Sequence, residues 1–470
     1  MNASSNRRDF LKTLGVAGTA LAAGGALAPQ TTTGAQVEAA PPGHSGRRLG
    51  AKYMGDFAAP KLDTVRWGVI GVGARGSGHV EQLAQIEGSR VVAISDLYED
   101  WAKGSGKAVE KLGQPAPALY FGSPTRYHEL LARPDVDAVL IATPWEDHAH
   151  MVVEAMRAGK HAFTEVPMAF TLKELWDVVN TSEQTGKHCM MMENCNYAEE
   201  ELMFLNMCRQ GAIGELLHGE AAYLHELRDQ MNEVERGTGS WRTKYYSPKN
   251  GGNLYPTHGL GPVAQYMSIA RTEDLFERVV SFSSPARGRA LYAKAHFPPD
   301  HKWNRMKFEC GDLSTQIIKT WLGRTIMVQW NETSPRPYTR HNLITGTKGT
   351  LAGYPWRAAV EGRGSYHEWM KQEEFEKLRT EFEHPLWKRM GQLAVKMGGH
   401  GGMDFIMDYR LIYCLRNGLP LDEDVYDAAE WSSIAELSEK SVANQGMPVK
   451  VPDFTRGAWQ KVKTVTYFTK

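Results

Sequence analysis

Arg66-Trp67-Gly68-Val69-Ile70-Gly71-Val72-Gly73-Ala74-Arg75-Gly76 decides the fold. A short apolar strand runs into G-x-G-x-x-G, and a helical pattern follows. In that setting the glycines let the backbone approach a pyrophosphate at a helix N-terminus. A second apolar run, Arg90-Val91-Val92-Ala93-Ile94-Ser95, ends in Asp96. Its offset of about 20 residues from Gly76 is the one expected of a carboxylate that accepts the hydroxyls of an adenosine ribose. Further strands are expected at Asp137–Thr143, His161–Glu165 and His188–Met192, with a helix over Thr171–Gln184. Continuous apolar strands alternating with helices imply a parallel sheet covered on both faces, an α/β Rossmann domain.

Working outward, the polar residues sit at strand ends. Thr143-Pro144-Trp145-Glu146-Asp147-His148, Glu165-Val166-Pro167 and Glu193-Asn194 follow three successive strands, where open parallel sheets place their ligands. Beyond Asn196 the pattern turns to alternation, with strands expected at Glu215–Glu226, Arg278–Ser283, Asp312–Thr320 and Thr325–Glu332. This reads as a second, α+β domain with a mainly antiparallel sheet. The helical spacing of Ala428–Ala443 would let it pack back on the first domain.

The N-terminus carries Asn6-Arg7-Arg8-Asp9-Phe10-Leu11-Lys12, then an uncharged apolar run ending Ala26-Leu27-Ala28. This resembles a twin-arginine signal peptide, so export to the periplasm or beyond through the twin-arginine machinery is expected. The expected organisation is a signal peptide over 1–28, a linker or loose arm over 29–61, a cofactor domain over 62–195, a substrate domain over 196–454 and a tail over 455–470. Lys plus Arg equal Asp plus Glu at 54 each in 470 residues, which leaves no excess positive charge for nucleic acid. Five cysteines without Cys-x-x-Cys spacing indicate neither a disulfide framework nor a thiolate zinc site. His148, His258 and His400 are too scattered for a metal motif.

The strand, glycine loop, Asp96, the Thr143-Pro144…His148 strand end and Glu165-x-Pro167 resemble the glucose-fructose oxidoreductase and inositol dehydrogenase superfamily. That superfamily has Glu-Lys-Pro where this chain has Glu165-Val166-Pro167. Glu193-Asn194-Cys195-Asn196-Tyr197, Trp241-Arg242-Thr243, Tyr255-Pro256-Thr257-His258 with Gly259-Leu260-Gly261-Pro262, Arg336-Pro337-Tyr338, Gly399-His400-Gly401-Gly402-Met403-Asp404 and Asp424-Val425-Tyr426-Asp427 are similar to glycoside hydrolase family 109. That family consists of NAD-dependent enzymes related to α-N-acetylgalactosaminidase, in which valine also replaces the lysine.

The resemblance implies NAD as cofactor, held by Gly71, Gly73, Ala74, Arg75, Gly76, Asp96, Trp145, Glu146, Asp147, His148, Glu165, Val166, Asn194 and Tyr255. It implies a sugar met by Tyr223, Arg242, Tyr255, Pro256, Thr257, His258 and Tyr338. The chemistry it implies begins with hydride transfer from sugar C3 to NAD. The C2 proton, acidified by the new ketone, is then removed, the C1 substituent leaves, water adds back, and C3 is reduced again. Tyr197 and His258 are the expected acid-base residues, with the two proton steps unassigned between them. Two other readings stay open here: a sugar or cyclitol dehydrogenase, which would consume added NAD stoichiometrically, and a non-catalytic sugar-binding protein. Homo-oligomers are a further expectation.

A carboxylate at position 96 accepts ribose hydroxyls but repels a 2′-phosphate. The purified protein is therefore expected to release NAD, not NADP, on denaturation. Chromatographic identification of the nucleotide checks this, and NADP as the dominant species would refute the role of Asp96.

Overall fold

The computed structural model describes residues 47–462 except 234–235, 237–239, 247–250 and 365–366. The expected signal peptide lies outside the described residues, as do residues 463–470 of the expected tail and the linker before residue 47.

The first half alternates strictly: β1 (Val65–Ile70), α1 (Ala74–Gln85), β2 (Ser89–Ser95), α2 (Glu99–Lys111), β3 (Ala118–Tyr120), α3 (Tyr127–Leu131), β4 (Ala138–Ile141), α4 (Trp145–Arg157), β5 (His161–Thr164), α5 (Leu172–Thr185) and β6 (Cys189–Met191). The strands form one parallel sheet in the order β3-β2-β1-β4-β5-β6. Every residue of β4 and β5 is buried, as their continuous apolar sequences require with helices on both faces. Strand order reverses between β1 and β4, which opens the crevice where such sheets bind ligands. α5 begins with a capping box, Thr171 accepting from the Glu174 amide while Glu174 accepts from the Thr171 amide, and it ends on left-handed Gly186.

The second half contains β7 (Leu216–Leu224), β8 (Phe276–Ser283), β9 (Ser314–Thr320), β10 (Thr325–Asn331), β11 (Leu343–Gly346), β12 (Gly349–Ala352), β13 (Arg357–Val360) and β14 (Val449–Lys450). Their order is β13-β12-β11-β7-β10-β9-β8-β14. Neighbours are antiparallel except β7 and β10, which run parallel. The helices are α6 (Glu199–Arg209), α7 (Thr257–Tyr266), α8 (Gly288–His296), α9 (Lys302–Arg305), α10 (Gln372–Phe382), α11 (Pro385–Met397), α12 (Met403–Asn417) and α13 (Val425–Ala443). α13 packs on α5 and β6 as well as on β8, so one apolar core runs through both halves. Asp424-Val425-Tyr426-Asp427 is the capping box of α13; its Asp427 also pairs with buried Arg271.

Residues 47–61 correct the expectation of a loose arm. The Lys52 amide donates to the Glu183 carbonyl at 2.7 Å, the Met54 amide to the Tyr426 hydroxyl at 3.2 Å, and the Tyr53 and Tyr426 rings stack. Met54 and Ala59 are buried, and these apolar anchors within an Ala/Gly-rich stretch account for the docking. Buried Glu183 gathers Arg47, Arg456 and the Tyr426 hydroxyl, which ties this arm and residue 456 to α5.

A second charge cluster joins the two halves. Arg75 on α1 donates to Glu165 at 2.6 Å and to Asp404 on α12 at 2.8 Å. His79, one turn along α1, lies between Glu165 at 2.8 Å and Asp408 at 2.9 Å. With an acceptor carboxylate at each ring nitrogen, the imidazole satisfies both only as the cation. Burial opposes that charge, but Asp408 and Glu165 outweigh it and push the His79 pKa up to about 10.

A histidine whose folded-state pKa lies above its ordinary 6.5 contributes stability that is fully present below that value and is lost as pH rises through the folded pKa. The unfolding free energy is thus expected to decline between about pH 6.5 and 10. A His79→Gln variant should lose that part of the decline. Denaturant titrations of both proteins across this range check it, and parallel pH profiles would refute the charged state of His79.

Candidate active site

A cavity of about 1010 Å³ lies between the carboxyl ends of β1, β2, β4 and β5 and the second sheet, roughly the upper end of ordinary ligand pockets. Its first part is the glycine loop. Gly71 has φ +82°, and a Cβ there would sit 2.8 Å from the Ala142 carbonyl; a Cβ on Gly76 would sit 1.9 Å from the Gly71 oxygen. Only glycine fits either position. α1 opens at Gly73 with no side-chain cap and no acidic residue in its first turn, so its N-terminus is left for an anion. Asp96 accepts from the Val72 amide at 2.7 Å and the Tyr98 amide at 2.8 Å, bracing the loop from the next strand. Burial raises its pKa despite those bonds. These residues fit a dinucleotide with its pyrophosphate over the loop and a ribose at Asp96.

At the far end of the sheet, Glu165 and Val166 reach the wall together with Asn194. Burial would push Glu165 up, but Arg75 and His79 hold it well below the usual carboxylate range. Asn194 donates to Asp404 at 2.5 Å. His148 spans the Thr143 carbonyl at 2.8 Å and the Pro167 carbonyl at 2.7 Å, bracing two strand-end loops. Burial lowers its pKa and the two carbonyls oppose that.

The second half supplies an aromatic chamber. Trp145 stacks on Tyr255 with centroids 5.5 Å apart, and the Arg242 guanidinium lies 4.6 Å over the Trp145 ring. Tyr255 and Tyr223 flank the His258 ring at 4.9 and 5.4 Å. Tyr338 meets Tyr223 edge-on. Burial pushes the phenols of Tyr223, Tyr255 and Tyr338 upward, so they act as hydroxyl donors and apolar faces, not as bases. Such faces pack on pyranose rings while the polar edges take hydroxyl groups.

The structure brings together Gly71, Gly73, Ala74, Arg75, Asp96, Trp145, Asp147, His148, Glu165, Val166, Asn194, Tyr223, Arg242, Tyr255, His258 and Tyr338 around this one cavity. Gly76 is placed behind the loop and serves its packing. Glu146 turns away to Lys244 and Tyr245. Pro256 and buried Thr257 start α7 and are not in the wall.

Tyr197 is the main correction. It ends a 3₁₀ turn, Asn194–Tyr197, is 1% exposed, and directs its hydroxyl to Asp422 at 3.4 Å, the carboxylate paired with Arg410. The turn carries the side chain into the core instead of the cavity.

The cavity also shows residues that sequence reasoning missed. His225 accepts or donates at the Tyr223 hydroxyl at 3.0 Å, and Arg340 donates to the Tyr338 hydroxyl at 3.1 Å while pairing with Glu201. Each lies two residues beyond a predicted tyrosine, the spacing that keeps side chains on one face of an extended segment. Cys195 lies in the wall beside His258. No disulfide joins any of the five cysteines, all of them among the described residues.

Residues 197–461 match the family model of the glycosyl hydrolase 109 C-terminal domain, and residues 65–193 match the oxidoreductase family, NAD-binding Rossmann fold. Glycosyl hydrolase family 109 protein 1 of Akkermansia muciniphila is 57% identical over 98% of both chains. An alpha-N-acetylgalactosaminidase of Shewanella oneidensis is 52% identical over 97% of this chain and 98% of its own. Among solved structures, levoglucosan dehydrogenase with NADH and levoglucosan superposes with TM-score 0.59 at 18% identity, covering 83% of this chain and 100% of that one. The scyllo-inositol dehydrogenase of Lactobacillus casei with NAD(H) and scyllo-inositol superposes at 0.57 with 14% identity, covering 82% and 99%. At such identities these two likenesses speak for the fold alone. With a glycine loop and Asp96 shaped for a dinucleotide beside an aromatic chamber, the chain belongs to glycosyl hydrolase family 109 and is an NAD-dependent glycosidase.

Proposed function

We propose that this glycosidase hydrolyses N-acetylhexosaminides, α-N-acetylgalactosaminides first among them, by oxidation and re-reduction at C3 of the sugar, and that it works after export by the twin-arginine route. The 52% identical alpha-N-acetylgalactosaminidase supports the substrate, and the Arg7-Arg8 segment supports export. The observation that carries the mechanism is the make-up of the chamber. Among the described residues, the second half lines it with Tyr223, His225, Arg242, Tyr255, His258, Tyr338 and Arg340 but with no carboxylate. Hydrolysis by the usual pair of acids needs two carboxyl groups about 5–10 Å apart across the bond. On the cofactor side, Glu165 is engaged by Arg75 and His79, Asp96 sits at the ribose end, and Asp147 belongs to the first turn of α4.

Bound NAD supplies the acceptor for the C3 hydride and later its donor. The protein's own groups do the rest. Trp145 and Tyr255 present stacked faces to the ring. His258 takes the proton from C2 once the neighbouring ketone has acidified it, and the electron pair of that C–H bond moves to expel the C1 substituent. Arg242 and the phenol hydroxyls hold the negative charge that develops on the C3 oxygen. Water then adds its hydroxyl at C1 and gives its other proton to the departed group, His258 gives a proton back to C2, and the C3 hydroxyl proton, released to water as the hydride leaves, returns as C3 is reduced, so no net oxidation results. Tyr197, turned to Asp422, takes no part in this scheme.

His258→Ala should therefore lower turnover by a factor of about a hundred or more, the scale of a positioned acid-base group, with bound NAD retained. Tyr197→Phe should stay within a few-fold of the parent. Steady-state rates on a nitrophenyl α-N-acetylgalactosaminide and nucleotide content per chain decide both. The stronger test concerns hydrogen at C2, which direct displacement at C1 never touches. Hydrolysis in deuterium oxide should place deuterium at C2 of the released N-acetylhexosamine, read by proton NMR with free product as exchange control. A product with only protium at C2, together with retention of label from C2-deuterated substrate, would rule the scheme out.

A further inference from the structure

The His258 ring is held from behind. Glu193, two residues past the end of β6, is 0% exposed, and its Oε1 lies 2.6 Å from His258 Nδ1. The same oxygen accepts from the Cys195 amide at 3.3 Å, while Oε2 is buried without a hydrogen-bond partner. Gly261, three residues along α7 from His258, leaves the room. A Cβ there would sit 2.9 Å from the Glu193 Cγ. A carboxylate at Nδ1 selects the tautomer with the proton on Nδ1, which leaves Nε2 as the basic atom.

Glu193, Cys195 and His258 are also the one group among the described residues whose ligand atoms, all within 4.8 Å of one another, fall in range of a shared metal ion. A tetrahedral ion with bonds of about 2.0–2.2 Å spaces its nitrogen and oxygen ligands about 3.3 Å apart. The 2.6 Å between Glu193 and His258 is a charge-assisted hydrogen bond instead.

We infer that Glu193 is the positioning residue of the His258 base: it fixes the Nδ1–H tautomer, aims Nε2 at the substrate and stabilises the imidazolium that forms when the sugar proton arrives. This rests on the reading of His258 as the proton-transfer group. The arrangement follows the logic by which a buried carboxylate orients a catalytic histidine in acyl-transfer enzymes, applied here to a carbon acid. Besides Glu193, the ionisable groups around His258 are Cys195, Tyr223, Tyr255 and His225. Of the acids near Glu193, Glu423 accepts from Asn196 at 2.8 Å, and burial raises its pKa.

The test compares the parent, Glu193→Gln, His258→Ala and the double variant, measuring kcat, KM, the pH profile of kcat and bound NAD. Glu193→Gln should lower kcat on the order of tenfold or more with KM and NAD content little changed. It should move the acid limb of the pH profile to lower pH, because an imidazole without its carboxylate gives up its proton more readily. In the His258→Ala background the same change should cost nothing further, since a residue that acts only through His258 has nothing left to act on. Losses that multiply, an unmoved acid limb, or an unchanged kcat in Glu193→Gln would each overturn the proposal. So would activity lost to EDTA and restored by zinc, which would give the cluster to a metal. If Glu193→Gln does not retain NAD, Glu193→Met, which likewise removes the carboxylate, goes through the same cycle under the same criteria. A near-normal His258→Ala would instead remove the reading of His258 itself, an outcome distinct from failure at Glu193 alone.

Discussion

Glu165 is the point on which the two halves of this protein turn. Its carboxylate stands at the end of β5, takes Arg75 and His79 from the helix behind the glycine loop, and through them is joined to Asp404 and Asp408 on α12. Charges taken out of water cost several kcal/mol each unless every one is paired and hydrogen-bonded. The cluster is therefore satisfied only when strand end, loop and helix are all in register. Asn194 and His400 complete the coordination of Asp404, which extends the constraint to the end of β6 and to the turn before α12. The cofactor crevice is thus fixed on one side by residues of the other half of the chain.

This constraint also bears on Val166. In the oxidoreductases that the sequence resembles, a lysine stands at this position next to the nicotinamide. Here the side chain is apolar and 3% exposed, and the same cavity is lined by Arg75, whose charge Glu165 and Asp404 take up, and by Arg242, over the Trp145 face. A lysine at 166 would bring another ammonium beside this cluster and would need its own desolvation and partner. In the proposed mechanism the proton chemistry accordingly falls to the imidazole on α7.

What was legible in the sequence was what a few consecutive residues determine. A parallel strand leading into a glycine loop, an acidic residue at the next strand end, and polar groups at later strand ends depend on local spacing, and so did the Tyr255-Pro256-Thr257-His258 segment. What was not legible depends on which way a side chain leaves a turn, or on partners far along the chain. Tyr197 sits three residues beyond Asn194, yet the 3₁₀ turn sends one to the cavity and the other to Asp422. Glu146 shares a helix with Trp145 and Asp147 but leaves on the other side. The docking of residues 47–61 depends on Glu183 and Tyr426, which no local pattern links to them. His225 and Arg340, by contrast, were within reach of a period-two reading from Tyr223 and Tyr338.

The division of labour between the halves follows from these placements. The parallel sheet and its helices supply backbone amides, glycines and, at Asp96, a carboxylate at the ribose end, which suit a polyphosphate and a ribose and say nothing of the substrate. The second sheet and α7 supply rings whose hydroxyls burial keeps protonated, together with an imidazole whose Nδ1 is engaged by a carboxylate. In the proposed mechanism a chamber walled in this way grips a pyranose and exchanges a proton with it, while among the described residues its second-half wall holds no carboxylate for direct attack at C1. In the proposed mechanism, oxidation within this fold serves to loosen the glycosidic bond. That mechanism asks for no rearrangement of the cofactor crevice, only for a substrate wall that removes a carbon-bound proton and returns it before the hydride goes back.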